Sequence, residues 1–204
     1  MQKKSLIIFI VCIFGLMSFF GCAETKMKSG HMDMMKATEA SFKAPVITLD
    51  SVELAHYWGY WYFKGVEPTK GDKGAYGAPL DFAFIINMEN PNDFPIKMES
   101  LKFTVAFEEF DLNTVQSIDA QWIPPGKTNQ IRVNAMFDVQ QSLLSLLVTG
   151  GFQLKQKGTD AFTQLETWWR KAPELGFPIH IKEGSAVFEA DGITKVQQFA
   201  FTFP

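Results

Sequence analysis

Few residues in this sequence have the types and spacing that catalysis or metal binding requires. The three histidines are far apart: His31, His56 and His180. Glu108, Glu109 and Asp111 bring carboxylates together. Paired carboxylates can transfer protons, but on an exposed turn such a cluster is typical of a solvated corner. The sequence has no Gly-x-Ser-x-Gly or His-Glu-x-x-His segment and no phosphate-binding loop. It therefore predicts a protein that is not an enzyme and has no catalytic residue, metal site or cofactor.

Cysteine chemistry is confined to the beginning of the chain. The two cysteines are Cys12 and Cys22, so no disulfide, thiolate nucleophile or cysteine-based metal site is expected beyond residue 22. A short basic segment precedes an apolar run from Leu6 to Phe20. A run of about fifteen residues is short for a membrane span, which needs about 20, but it suits the hydrophobic region of a signal peptide.

The end of this run, Gly21-Cys22, resembles the lipobox of bacterial lipoproteins, in which a small residue precedes a cysteine that receives lipid. The resemblance implies that residues 1–21 form a signal peptide and that Cys22 is lipidated. It also implies a lipid-anchored protein of the bacterial cell envelope, and Ala23, in place of Asp, favours the outer membrane facing the periplasm. Ordinary cleavage after Ala23 is the alternative, because Gly21-Cys22-Ala23 also has the small-x-small pattern.

The segment after Cys22, up to residue 44, is polar and lacks alternation, which predicts a flexible tether. As a random coil, its residues would reach roughly 25 Å. Within it, His31-Met32-Asp33-Met34-Met35 has the imidazole and thioether groups that suit Cu(I). Chance enrichment of methionine in a tether is the simpler interpretation, and we expect no metal there.

Composition excludes one class of partner and indicates the fold class. The formal net charge is -3, whereas a nucleic-acid surface needs a basic field. Hydrophobic residues make up 47% of the chain and include 20 phenylalanines, which is ample for a single core. Phenylalanine recurs at alternating positions, which predicts packing on β-sheets.

Aromatic residues are concentrated in a run from His56 to Phe63 and in a pair of tryptophans later in the chain. The structural interpretation of the run is a strand or bent edge with rings packed over the end of a sheet. The functional interpretation is a surface for an apolar ligand, a partner protein or the membrane interface. That surface would comprise Trp58, Tyr60, Trp61, Trp168 and Trp169.

The strands of the predicted domain, residues 45–204, are clearest on either side of Asn90–Ile96. Apolar and polar residues alternate before this stretch, over 80–89, and after it, over 95–107, which predicts two strands with one buried face each. The prolines and Asn residues between them are typical of a turn, so we expect a central hairpin. The alternation changes phase at Glu99-Ser100, which predicts a β-bulge or a strand that changes sheets.

Two helices are predicted late in the chain. Asp138 is placed to cap the first, over 139–149, with an apolar stripe of leucines: Leu143, Leu144, Leu146 and Leu147. Thr159 or Asp160 is placed to cap the second, which runs to Lys171. With further strand patterns on both sides, we expect a mainly β protein: an antiparallel β-sandwich of about seven strands, with one or two helices inserted late.

With these elements assigned, the sequence resembles the late embryogenesis abundant type 2 family, which includes the water-stress and hypersensitive-response domain. The most specific segment is Asn90-Pro91-Asn92-Asp93-Phe94-Pro95-Ile96, which resembles the family's Asn-Pro-Asn-x-Phe-Pro-Ile. Leu49–Leu54 and Ile123–Gly126 also match. The resemblance implies a sandwich similar to fibronectin type III, an association with desiccation and other stresses, and no catalytic residues.

Two functions are therefore expected. The first is a membrane-anchored, non-enzymatic envelope lipoprotein whose domain protects or binds a partner under stress. The alternative is an envelope protein that binds an apolar ligand or lipid through the aromatic run at 56–63. In both, the membrane is a partner through the lipid anchor, an unidentified envelope protein or lipid is the second partner, and nucleic acid is not a partner.

Overall fold

The computed structural model describes residues 36–60 and 77–204. Cys22, the methionine-rich segment 31–35 and Trp61 lie outside the described residues, so the predictions made for them stay predictions. None of the described helices combines the length and hydropathy needed to cross a bilayer.

Eight antiparallel strands of the described chain form two sheets. The first sheet has the order β1-β2-β6, with β1 Val46–Tyr57, β2 Leu80–Glu89 and β6 Thr128–Phe137. The second sheet has the order β4-β3-β7-β8. Its strands are β3 Ile96–Phe107, β4 Phe110–Ser117, β7 Ile179–Ala190 and β8 Ile193–Phe203. A short fifth strand, β5 Gln121–Ile123, also pairs with β3. The predicted mainly β sandwich is confirmed. It has one strand more than expected, because the segment 113–122 contributes to both β4 and β5.

The predicted hairpin between β2 and β3 is wrong, although both strands are present. β2 pairs with β1 and β6, whereas β3 pairs with β4, β5 and β7, so Asn90–Pro95 carries the chain from one sheet to the other. A turn with two prolines lacks backbone N–H groups for the ladder of a tight hairpin. The segment instead reverses the chain across the core.

The core lies between the two sheets and is dominated by phenylalanine. Phe82 and Phe84 of β2 meet Phe107 and Phe103 of β3, with ring centroids 5.8 and 5.3 Å apart in edge-on geometry. All four side chains are fully buried. Edge-on contacts of this kind add stability beyond the burial of apolar area.

The phase change at Glu99-Ser100 is confirmed as a bulge. The register between β3 and β7 shifts between Met98 and Ser100. Before the shift β3 pairs with β5 on its other side, and after it β3 pairs with β4. The extra residue therefore marks the place where β3 changes neighbours within the same sheet.

Three α-helices lie between β6 and β7: α1 Val139–Thr149, α2 Gly151–Lys157 and α3 Ala161–Lys171. Asp138 accepts a hydrogen bond from the Gln140 backbone N–H at 2.8 Å, and Asp160 accepts one from the Phe162 N–H at 2.9 Å. Both predicted caps are confirmed. α2 was not predicted because the two glycines at 150–151 indicate a helix end, whereas Gly150 keeps right-handed angles and the chain resumes its helix.

The predicted flexible tether is wrong for its last residues, because the packed domain begins before residue 45. Phe42 is fully buried and meets the ring of Phe94 edge-on at 5.9 Å. The Lys43 N–H donates to the Asn92 side chain at 2.7 Å, and the Ala37 N–H donates to Asp191 at 2.7 Å. This segment is polar and its residues do not alternate, so its pattern did not reveal that Phe42 is buried.

Candidate interaction surface

The predicted aromatic surface is largely core. Trp168 and Trp169 are fully buried and Tyr60 is 3% exposed, so these three residues cannot present a surface to a ligand or partner. Trp58, at 40% exposure, is accessible, and Trp61 lies outside the described residues. Trp168 and Trp169 lie on a helix whose Ala161 and Leu165 are also buried, so this side of the helix packs against the core.

The two tryptophans cover the end of the sandwich from which the helices arise. Trp168 packs edge-on against Phe107 at 5.6 Å and Phe110 at 5.5 Å. The indole N–H of Trp169 donates to the Ala78 carbonyl at 2.7 Å, and the Tyr57 hydroxyl donates to the Trp169 carbonyl at 2.7 Å. Burial raises the pKa of Tyr57, and the charge of Arg170 partly offsets this. These two hydrogen bonds hold α3 against the sheets.

A different apolar surface is exposed, on the helices that precede α3. Leu144, Leu147, Val148 and Phe152 are between 61% and 73% exposed. We call these four residues the apolar helical face. The leucine stripe predicted for the core is thus partly wrong: Leu146 is buried and Leu143 packs against the core, whereas the other two leucines point outward.

Leu144, Leu147 and Val148 lie on one side of α1, and Phe152 follows in α2 after the bend at Gly150. The Gly150 N–H donates to the Leu146 carbonyl and the Leu154 N–H donates to the Gly150 carbonyl, both at 2.9 Å. Residues four positions apart lie on the same face of a helix. Leu144 and Val148 therefore follow one another along α1, with Leu147 beside them.

This face is also without charge. The segment 139–154 contains no Asp, Glu, Lys, Arg or His, in a chain of which 20% is charged. α1 consequently has apolar side chains on both its buried and its exposed side, next to uncharged polar ones. The leucine pattern alone did not indicate this exposure, because apolar residues at i, i+3 and i+4 are also the spacing of an ordinary core-facing stripe.

A polar groove of about 600 Å³ runs beside this face, between β4 and α1. Asp111, Asn113, Gln141, Ser145 and Gln153 are among the residues that line it. The Ser145 hydroxyl donates to the Asp111 carbonyl at 3.0 Å and holds α1 to the strand. Amide and hydroxyl groups thus border the apolar helical face on this side, together with the carboxylates of Glu109 and Asp111, which pair with lysines.

The acidic corner next to the groove is neutralised by lysines. Lys157 pairs with Glu108 and, at 3.1 Å, with Glu109, and Lys182 pairs with Asp111 at 2.7 Å. Burial opposes the charge of Lys157, but its hydrogen bonds to the two glutamates raise its pKa. Within the described residues, no group of three or more His, Cys, Asp or Glu is placed to hold a metal ion.

Comparison with known proteins shows only distant similarity. No family model and no curated protein matches the sequence. Among solved structures, the chain is similar to the structural genomics target SoR45 at 10% identity, with a TM-score of 0.43 over 81% of this chain and 88% of that one. An ApaA protein from Bordetella pertussis is similar at 12% identity, with a TM-score of 0.39 over 78% and 94%. A protein assigned to the late embryogenesis abundant group is similar at 12% identity, with a TM-score of 0.30 over 81% and 74%.

Proposed function

We propose that this chain is a membrane-anchored, non-enzymatic lipoprotein of the bacterial cell envelope whose domain binds a partner under stress. The observation that carries the binding role is the apolar helical face. The largest contiguous apolar patch on a typical monomeric soluble protein is about 300–600 Å² and is often a functional site.

The size of the face supports a binding role. Four side chains that are 61–73% exposed present about 400 Å² at roughly 100 Å² each. At about 25 cal/mol per Å², covering this area would contribute about 10 kcal/mol before the costs of association. No packing within the described domain requires these side chains to be apolar, since they point away from the core.

The binding role is tested by making the face polar. In the double variant Leu144→Gln/Val148→Gln, we expect the far-ultraviolet circular dichroism spectrum to stay that of wild type and crosslinking to envelope partners in intact cells to be lost. Val196→Gln on β8 is the matched control, because Val196 is also an exposed β-branched residue, at 56%. Unchanged crosslinking of the double variant would contradict the proposal.

Anchoring is proposed from the sequence Gly21-Cys22. Acyl chains on Cys22 would hold the protein at the membrane, because each buried CH₂ group contributes about 0.8 kcal/mol. We expect labelled palmitate to be incorporated into the wild-type chain and not into Cys22→Ser. Equal labelling of both would contradict lipidation and favour ordinary cleavage after Ala23.

The stress-related part of the proposal is supported by the resemblance of Asn90–Ile96 to the family motif. We expect a deletion strain to survive drying or osmotic shock less well than its parent. The lipidated wild-type chain should rescue it, whereas a cytoplasmic form without the leader should not. Equal survival of deletion and parent strains would contradict the stress role and leave the binding role standing.

The alternative is an apolar-ligand or lipid-binding protein. Three of its five candidate residues are buried in the core: Tyr60, Trp168 and Trp169. Of the described rings in the aromatic run, Trp58 retains substantial exposure. The alternative predicts that native mass spectrometry of protein purified from membranes shows a retained lipid that Trp58→Ala loses. Absence of any retained lipid would eliminate it.

A further inference from the structure

We propose that the apolar helical face is covered by the same face of a second copy of this chain, so that the protein is a two-fold symmetric dimer. The inference rests on the proposed function, in which this face binds a partner, and it identifies that partner. Three observations support it: the charge of the face, its area and its position relative to the tether.

The charge of the face favours a like partner. In a two-fold interface each residue near the axis meets its own counterpart, so any charge there would face a like charge. The segment 139–154 has no charged side chain. Its polar border includes Gln141 and Gln153, whose side-chain amides are both donors and acceptors and can therefore pair with themselves. The nearby carboxylate of Asp111 is already paired with Lys182.

The area suits the centre of a dimer interface. A standard interface buries about 800 Å² on each partner, with an apolar centre and a polar rim. The four exposed side chains supply about 400 Å² of apolar surface, and the adjoining amide and hydroxyl groups of the groove supply a rim. A helix face with residues spaced by three and four positions is also suited to packing against an equivalent helix.

The position of the face argues against the membrane as its occupant. Phe42 and Lys43 enter the domain beside Asn92, near the end of the sheet where Glu89 pairs with Thr128. α1 begins after Phe137, at the opposite end of the same strands, where Phe137 pairs with Leu80. Ten residues of strand separate the two ends by roughly 30 Å. The described chain thus enters the domain at the end of the first sheet opposite to the start of α1.

The test uses the full-length chain in the bacterial envelope, with a photo-crosslinking amino acid placed at position 148. Two copies with different epitope tags are expressed together, and the adducts are analysed by mass and by both tags. We expect an adduct of twice the chain mass that carries both tags. The same crosslinker at position 196, on β8, is the matched control and should give no such adduct, because Val196 lies outside the proposed interface.

A charge exchange at the same position provides an independent test. Val148→Glu should reduce co-purification of the two tagged copies at least tenfold, and Val148→Lys should do the same, because like charges would meet across the axis. Co-expression of one Glu copy with one Lys copy should restore co-purification, because opposite charges would then meet across the axis. Both variants should keep the fold of the single chain, since Val148 is exposed, and unchanged far-ultraviolet circular dichroism checks this.

The remaining outcomes separate this inference from the proposed function. An adduct at position 148 with a different protein would overturn the dimer and leave a partner-binding domain. An adduct with lipid alone, or no adduct, would overturn the dimer and the binding role together. Failure of the Glu and Lys copies to restore pairing would overturn the two-fold arrangement.

Discussion

The side-chain oxygen of Asn90 accepts two hydrogen bonds from Asn92, one from its backbone N–H at 3.0 Å and one from its Nδ2 at 2.9 Å. Asn90 Nδ2 in turn donates to the carbonyls of Phe94 and Ile123 at 2.9 and 3.0 Å. Asn92 exchanges hydrogen bonds with the backbone of Lys43. Two asparagines thus join the sheet-to-sheet connection, the end of β5 and the start of the domain.

Asn90→Ala is expected to destabilise the fold by about 3 kcal/mol, because it leaves several buried carbonyl and N–H groups without their partners. Asn90 is fully buried. Urea unfolding followed by tryptophan fluorescence measures the change. Asn87→Ala, in the strand that ends just before Asn90, is the matched control: Asn87 bonds to Asp50 and Gln130 on the solvent side, and its loss should cost about 0.5 kcal/mol or less. Equal effects would contradict a special role for Asn90.

Phe42→Ala is expected to destabilise by about 3–5 kcal/mol, as buried aromatic residues do. Phe94→Ala should cost about as much, since Phe94 is the residue that Phe42 meets. Because the two rings touch, the double variant should cost less than the sum of the single ones. The control is Phe162→Ala, whose ring is more than half exposed and should lose less than half as much. An unchanged unfolding midpoint in Phe42→Ala would contradict the role of Phe42 in the core and favour the predicted start of the domain at residue 45.

Gly184→Ala tests a close approach between β7 and β8. A Cβ at this position would lie 2.6 Å from the backbone carbonyl oxygen of Phe199 and would also meet its ring. Because backbone cannot rotate away, we expect a loss of about 1–3 kcal/mol. Gly151→Ala, where a Cβ meets nothing within 4 Å, should be neutral or stabilising by up to about 1 kcal/mol. Thermal melts compare the two variants, and equal melting temperatures would contradict the clash.

The pH dependence of stability tests the cap of α3. A hydrogen bond from the Thr163 hydroxyl, followed by backbone N–H bonds from Thr163 and Phe162, lowers the pKa of Asp160 below its usual 3.8. A lowered pKa in the folded state means that the contribution is complete above pH 3.8 and is lost as the pH falls through the folded value. Asp160→Asn keeps a capping side chain but cannot titrate.

The melting temperatures of the wild type and of Asp160→Asn are therefore compared between pH 2 and pH 6. The wild type should be the more stable above pH 5, and its advantage over Asp160→Asn should shrink towards pH 2. Other carboxylates titrate in both proteins and cancel in the comparison. A constant difference over the whole range would show that the Asp160 carboxylate does not contribute through its charge.

The sequence predicted what depends on neighbours along the chain. Asp138 and Asp160 were identifiable as caps because capping bonds join residues two or three positions apart. The bulge at Glu99-Ser100 was identifiable because a strand alternates with period two wherever it is half buried. The strands and the fold class followed from the same alternation.

What the sequence left open depends on contacts between distant segments. Alternation in β2 and β3 shows that each has a buried face, but it does not show which strand each one pairs with. The burial of Phe42 requires Phe94 and Lys195, which lie far along the chain. The exposure of Leu144 and Leu147 follows from which side of α1 meets β4, and only the assembled sheets decide that.

The buried start of the domain has a mechanical consequence. β1 is an edge strand of the first sheet, and tension on its N-terminal end alone would peel it from β2 one hydrogen bond at a time. The chain ahead of β1 is fastened to Asn92 through Lys43 and to the β7–β8 turn through Ala37 and Asp191. Lys195 of β8 also donates to the Phe42 carbonyl. A pull on the chain ahead of Ala37 would thus act on contacts to both sheets at once, instead of on the first β1–β2 hydrogen bond alone.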